Sequence, residues 1–164
     1  MPSERVRERA ALDLDRFLPY RLSVLSNRVS DAIARLYSDR FSLTIPEWRV
    51  MAVLGGQHGL SARDVAVKTA MDKVQVSRAV AALVESRRVQ RAPDADDGRI
   101  TRLALTARGR AIYDEIAPLA LHLEEVFLAA LTPAERETLS SLLGKLSKQV
   151  GALTTVRVKL PEQV

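Results

Sequence analysis

Residues 61–103, SARDVAVKTAMDKVQVSRAVAALVESRRVQRAPDADDGRITRL, set the fold class of the whole chain. Ser61 is followed three residues later by Asp64, an S-x-x-D capping box in which hydroxyl and carboxylate satisfy each other's backbone N–H groups. Asp72 and Gln75 stand in the same relation, a D-x-x-Q box. Two capped starts eleven residues apart leave room for one short helix and a turn, which is helix-turn-helix spacing. Behind the second helix, strands near Val89–Ala92 and Ile100–Leu105 frame the turn-rich PDADDGR segment, so a β-hairpin is expected with Asp97, Gly98 and Arg99 at its tip. Such an arrangement suits laying a helix in a DNA groove and reaching sideways along the duplex.

The charge is concentrated in the same place. Residues 61–110 hold 11 Lys and Arg against 6 Asp and Glu, while the remainder holds 14 of each, so the net +5 of the chain lies entirely here. A basic surface on a helix-turn-helix points to phosphate binding. The 164 residues, 47% apolar, are ample for a folded core. No apolar run approaches the ~20 residues of a membrane span, and the start MPSERVRERA is charged rather than signal-like. Cysteine is absent, which excludes disulfides and thiol chemistry. A cytoplasmic protein that does not engage a membrane is expected.

Outside the central stretch the pattern is helical, giving a mainly α (α+β) fold. Residues 1–11 read as a flexible N-terminus. Leu14, Leu18, Leu22, Leu25, Val29, Ile33 and Leu36 form an apolar stripe that predicts one helix over residues 12–37, with Pro19 kinking it near its start. Thr44 and Glu47 form a capping box, with Leu43 placed to staple onto Trp48, and Gly55-Gly56 closes that helix. A helix over 107–130 carries Ile112, Ile116, Leu119, Leu123 and Val126. Thr132, Pro133 and Glu135 open one more, with Leu139, Leu142, Leu143, Leu146 and Val150 on its apolar face. Residues 154–164 read as a tail. The domains are therefore expected as a dimerisation helix over 12–38, a winged helix-turn-helix lobe over 39–106 and dimerisation helices over 107–153. The terminal helices carry more apolar surface than a small lobe can cover, so a second copy of the chain is the expected partner, which also fits a palindromic DNA site.

The second helix of the motif starts DKVQVSRAV. Val76 and Val80 point inward, leaving Lys73, Gln75, Ser77 and Arg78 outward near its N-terminus. Gln pairs with adenine, Arg or Lys with guanine, and Ser with either. Arg99 stands where a long cation enters a minor groove, and Asp97 is placed to pair with Arg99 or another arginine and shape the tip. DADDG does not have calcium-loop spacing, and its closing Glu position is Leu105. No metal site and no cofactor is expected, since His122 lacks a second His at ligand spacing. With two His, no Cys and no triad spacing, an enzyme is the least supported class, behind a ligand-independent or architectural DNA-binding protein.

At this point the sequence resembles the MarR (multiple antibiotic resistance regulator) family of winged helix-turn-helix transcriptional regulators. The resemblance is carried by MDKVQVSRAVAALVESRRVQR, by EWRVMAVLG at 47–55, and by DGRITRLALTARGR, which fits the family's D-x-R-x-x-x-L wing pattern through Asp97, Arg99 and Leu103. It implies a homodimer on a pseudo-palindromic double-stranded operator, often a repressor, released by a small molecule. It also implies that Lys73, Gln75, Ser77 and Arg78 read the major groove and Arg99 the minor groove, with Ser61, Arg63 and Lys68 nearer the backbone. An effector site between the dimerisation helices and the DNA-binding lobe would draw on Phe17, Tyr20, Arg21, Arg28, Trp48, Met51 and His58. Aromatic walls with arginines suit an aromatic carboxylate or its coenzyme A thioester. The absence of cysteine excludes the family's peroxide-sensing mode.

Overall fold

A computed structural model describes residues 11–153. The order is α1 (Leu18–Ala34), α2 (Ser38–Phe41), α3 (Ile45–Gly56), β1 (Leu60–Ser61), α4 (Ala62–Thr69), α5 (Lys73–Glu85), β2 (Val89–Pro93), β3 (Thr101–Leu105), α6 (Ala107–Leu128) and α7 (Pro133–Leu153). The flexible ends expected at 1–11 and 154–164 lie, but for residue 11, outside the described residues. Two compact units divide the chain, one reaching to Ala120 and one from Leu121. The expected boundaries at 38/39 and 106/107 do not coincide with this division. Tyr37, Ile112 and Ile116 are buried in the same core as the helix-turn-helix, so the first part of α6 belongs to the first unit and the helix runs on past the division.

That core is built from the caps outward. Thr44 accepts the Glu47 N–H at 3.4 Å while the Glu47 carboxylate accepts the Thr44 N–H at 2.7 Å. This closed box aims α3 so that Trp48, Val50, Met51 and Leu54 face inward, with Leu43 buried beside them. Trp48 lies between Tyr37 and Tyr113, ring centroids 5.5 and 6.0 Å away. Burial raises the Tyr37 hydroxyl pKa to about 12, an effect partly opposed by Arg49. α4 contributes Val65, and α5 contributes Val76, Ala79, Val80 and Leu83. The sheet runs β1-β3-β2, all antiparallel, and brings Val89 and Leu103 to the same core.

Four expectations are corrected. The first helix starts at Leu18, not residue 12. Asp13 instead caps a turn, its carboxylate accepting the Asp15 N–H at 3.1 Å, and Pro19 occupies the opening turn, where its missing N–H costs nothing. It starts the helix instead of kinking it. The helix also ends at Ala34, and α2 stops at Ser42 in the left-handed region (φ 49°). β1 is the third strand, which the hairpin reading lacked. Ser61 is extended (φ −78°, ψ 164°), as an N-cap must be, and this lets it pair with Arg102.

α5 closes with the Arg88 N–H donating to the Leu83 carbonyl at 2.8 Å and the Arg87 N–H to Val84 at 3.0 Å, a Schellman motif with Arg87 left-handed (φ 56°). The Arg88 carbonyl then receives the Thr106 N–H at 3.0 Å, and Gly109 packs directly against it. α6 is held further by Arg110, whose guanidinium donates to the Gly55 carbonyl at 3.0 Å. In the second unit, Thr132 and Glu135 form the expected capping box and Arg136 pairs with Glu125 at 2.8 Å. None of the α7 side chains is buried, and Leu142, Leu146, Val150 and Leu153 form an uncovered apolar stripe. Among the described residues no single helix is long and apolar enough to cross a membrane.

A methyl group at Gly109 would stand 2.0 Å from the Arg88 carbonyl oxygen, a backbone atom that cannot swing aside. Gly109→Ala is expected to lower folding stability by about 1–3 kcal/mol, read as a lower urea midpoint. An unchanged midpoint would mean that α6 does not need this close approach.

Candidate nucleic-acid interface

The interface begins with how α5 is presented. Asp72 accepts the Gln75 N–H at 2.8 Å and so caps the helix. Only this half of the expected D-x-x-Q box forms: the capping contact is the Asp72 carboxylate, and the Gln75 amide stays on the exposed face. The buried stripe holds α5 against α3 and α4, so Lys73, Gln75, Ser77 and Arg78 are all exposed. They divide between two flanks. Lys73 and Ser77 line a groove of about 480 Å³ with Arg63, Arg91 and Thr101. Gln75 and Arg78 line a shallower one of about 330 Å³ against Thr44, Pro46 and Glu47 at the start of α3.

The hairpin tip is shaped by Asp94. Its carboxylate accepts the N–H groups of Asp96 (3.1 Å) and Asp97 (3.0 Å), an Asx turn, and pairs with the Arg102 Nε. Asp97 shapes the tip differently from expectation: it accepts the Arg99 backbone N–H at 3.0 Å, and the ion pair falls to Asp94 and Arg102 instead. The Arg99 side chain is exposed, with no salt bridge to it among the described residues. Arg102 also donates to the Gly59 carbonyl at 3.0 Å and lies 3.9 Å from the Asp64 carboxylate. The bond from Arg102, followed by those from the Asp97 and Asp96 N–H groups, holds the Asp94 carboxyl below its ordinary 3.8. The Ser61 hydroxyl and N–H do the same for Asp64, and the bond to Asp94 raises the Arg102 pKa.

Of the nine sequence-derived DNA-facing residues, Arg63, Lys73, Gln75, Ser77 and Arg78 line these two grooves, and Asp97 and Arg99 are exposed at the hairpin tip. Lys68 is exposed in the last turn of α4 and lines neither groove. The Ser61 hydroxyl is committed to its cap, donating to Asp64 at 2.7 Å and accepting its N–H at 3.2 Å. Arg91, Thr101, Asp94 and Arg102 were missed. Arg91 is two residues from buried Val89 and pairs with buried Leu103, so strand parity alone assigns it to the core, yet it is exposed and lines the groove. The PDAD turn did carry a signal for Asp94, since Asp at a turn start bonds the N–H groups that follow.

The seven effector candidates are not gathered into one site. Met51 is fully buried and Trp48 is 9% exposed, both in the core. Tyr20, Arg21 and Arg28 line a groove of about 450 Å³ along α1 with Leu14, Leu18, Leu22 and Leu25. Phe17 caps α1 and lies outside that lining, and His58 is exposed in the loop after α3. Among the described residues no group of three or more His, Asp or Glu is placed to hold a metal ion.

A capped short helix, an exposed second helix, and a hairpin pinned beside it make this lobe a winged helix-turn-helix, a DNA-binding class. The family model of the MarR family matches residues 41–100, which span α3 to the wing. The fold is also that of a MarR/EmrR family transcriptional regulator from Acinetobacter, with a TM-score of 0.80 and 26% identity, covering 86% of this chain and 99% of that one. The transcriptional repressor Rv2887 of Mycobacterium tuberculosis is 28% identical over 131 residues, 79% of this chain and 91% of that protein. BpsR of Bordetella bronchiseptica, whose DNA binding is regulated by 6-hydroxynicotinic acid, is similar at a TM-score of 0.73 and 26% identity, covering 84% of this chain and 97% of that one. The helix-turn-helix and most of the wing thus match the MarR family, and the chain is similar over most of its length to MarR-family transcriptional regulators, which supports a DNA-binding regulator.

The lowered carboxyl of Asp94 gives the wing a definite pH dependence. Its folded pKa lies below the unfolded one, so its contribution is fully present above about pH 4–5 and is lost as pH falls through 3.8 and below. Asp94→Asn is expected to lower the urea midpoint at neutral pH, with the difference from the unsubstituted protein closing as pH approaches 2. A difference that is constant across that range would contradict the pairing.

Proposed function

We propose that the chain acts as a homodimeric repressor of a pseudo-palindromic operator and leaves DNA when it binds a small anionic aromatic ligand or its coenzyme A thioester. The observation that carries the DNA-reading half is the exposed set of Lys73, Gln75, Ser77 and Arg78 on α5, together with a wing tip where Arg99 is exposed and has no salt bridge among the described residues. Two α5 helices in successive major grooves would read half-sites about one helical turn apart, and Arg99 would enter the flanking minor groove. The dimer is supported by the uncovered apolar stripes of α1 and α7, which a second copy would cover. Repression is the sign named for the mycobacterial relative.

The ligand class is supported by chemistry on both sides. 6-Hydroxynicotinic acid, which regulates BpsR, is an aromatic carboxylate. The α1 groove offers Tyr20 for a ring and Arg21 and Arg28 for a carboxylate or phosphate amid leucines. Release would be a population shift toward a dimer whose two α5 helices no longer match the half-sites. The burial of Trp48 and Met51 favours a second reading, a regulator that needs no ligand.

Both halves are testable on an operator selected from random duplexes. Arg99→Ala is expected to weaken binding about tenfold, within the range of a lost arginine–base contact, with the dimer still folded; unchanged affinity would remove the wing assignment. A panel of aromatic carboxylates and their coenzyme A thioesters is expected to contain a compound that releases the operator, and Arg21→Ala or Arg28→Ala should raise the concentration required. If no member of the panel releases DNA, the ligand-independent reading stands instead.

A further inference from the structure

Val74 is 58% exposed in the first turn of α5, where Lys73, Gln75, Ser77 and Arg78 around it are all polar. A lone exposed apolar residue needs no explanation in itself; its position on the helix does. Successive residues of α5 are turned by about 100°, and the buried stripe of Val76, Ala79, Val80 and Leu83 marks the inner side. On that wheel Val74 and Arg78, four apart, lie opposite the stripe, on the crest of the helix. Lys73 and Ser77 fall on the shoulder that lines the groove toward the wing. Gln75 falls on the other, which with Arg78 lines the groove toward α3. The first turn of a recognition helix is the part that reaches base edges, and here its crest carries an isopropyl group.

That group offers no hydrogen bond to a phosphate or to a base edge. A β-branched residue is also a poorer helix former than alanine, and at this exposed site no packing within the lobe offsets that. In the major groove the one apolar feature of the base pairs is the C5-methyl group of thymine. Resting on the reading of α5 as the DNA-contacting helix, we propose that Val74 is a specificity-determining residue that reads a thymine methyl in each half-site. Cytosine at the same place would present its N4 amino donor to a side chain with no acceptor, so thymine is favoured by contact and cytosine disfavoured by desolvation.

The test uses the full-length protein and a site selected from random duplexes. Each thymine of that site is replaced in turn by deoxyuridine, which removes the methyl and nothing else. One thymine per half-site is expected to show a loss of about fourfold, the effect of exposing one buried methyl-sized group. Val74→Ala, at an exposed position and with better helix propensity, should fold normally and bind thymine and deoxyuridine sites alike. The inference is overturned if no thymine shows the penalty, or if Val74→Ala retains it in full. Should the protein select no site at all, the DNA-contacting role of α5 fails and this inference with it. A selected site without a Val74-dependent methyl effect removes this inference alone.

Discussion

The guanidinium of Arg102 joins three segments that are far apart in sequence: the Asx turn at Asp94, the Gly59 carbonyl before β1, and the capping carboxylate of Asp64 at the start of α4. A hairpin that projects beyond its core has few apolar contacts to fix its direction. Here Val89 and Leu103 are buried at its base, while the residues from Asp96 to Ile100 are exposed. The direction of the wing relative to α4 and α5 is therefore set largely by this fork and by the short β1–β3 pairing that holds Ser61 opposite Arg102. Because Ser61 and Asp64 also cap α4, the ties that aim the wing and the cap that starts the helix-turn-helix share atoms. Moving one moves the other.

The same economy places charge. The positive excess of the chain lies in residues 61–110, yet Arg102 is occupied by carboxylates, Arg110 by the Gly55 carbonyl and the Tyr113 ring, and Arg88 by the Phe41 carbonyl. These three arginines hold the lobe together and are poorly available to DNA. The other eight, Arg63, Lys68, Lys73, Arg78, Arg87, Arg91, Arg99 and Arg108, are exposed, and of these Arg63, Lys73, Arg78 and Arg91 line the two grooves while Arg99 stands at the wing tip. Counting charge along the sequence thus overstates how many of the segment's arginines are free to meet a phosphate.

What could be read from the residues follows from how local each signal is. Capping boxes are encoded within four residues, and Thr44, Ser61 and Thr132 all cap as expected. Apolar periodicity likewise placed α3 to α7. The start of α1 was misjudged because a leucine stripe continues through Leu14, whereas the turn at Asp13 and the demands of Pro19 decide where the helix begins. β1 escaped notice because two residues have no period, and its existence depends on Leu103, more than forty residues away. Arg102 was missed for the same reason: its partners lie at 59, 64 and 94. The effector residues proved hardest to place, since aromatic and basic side chains serve equally in a core. Trp48 stacks between two tyrosines and Arg21 lines an open groove, and their types alone do not separate the two fates.

On the reading proposed above, the wing and α5 meet DNA as one body held by the Asp94–Arg102 pair. A double-mutant cycle on operator affinity tests this most directly, with Asp94→Ala, Arg102→Ala and the double variant measured against the unsubstituted protein at one salt concentration. If the pair aims the wing, each single substitution weakens binding and the double variant is little weaker than the weaker single, because the second change has nothing left to disrupt. Losses that simply add, or singles that leave affinity unchanged, would show that the wing finds the minor groove without this tie.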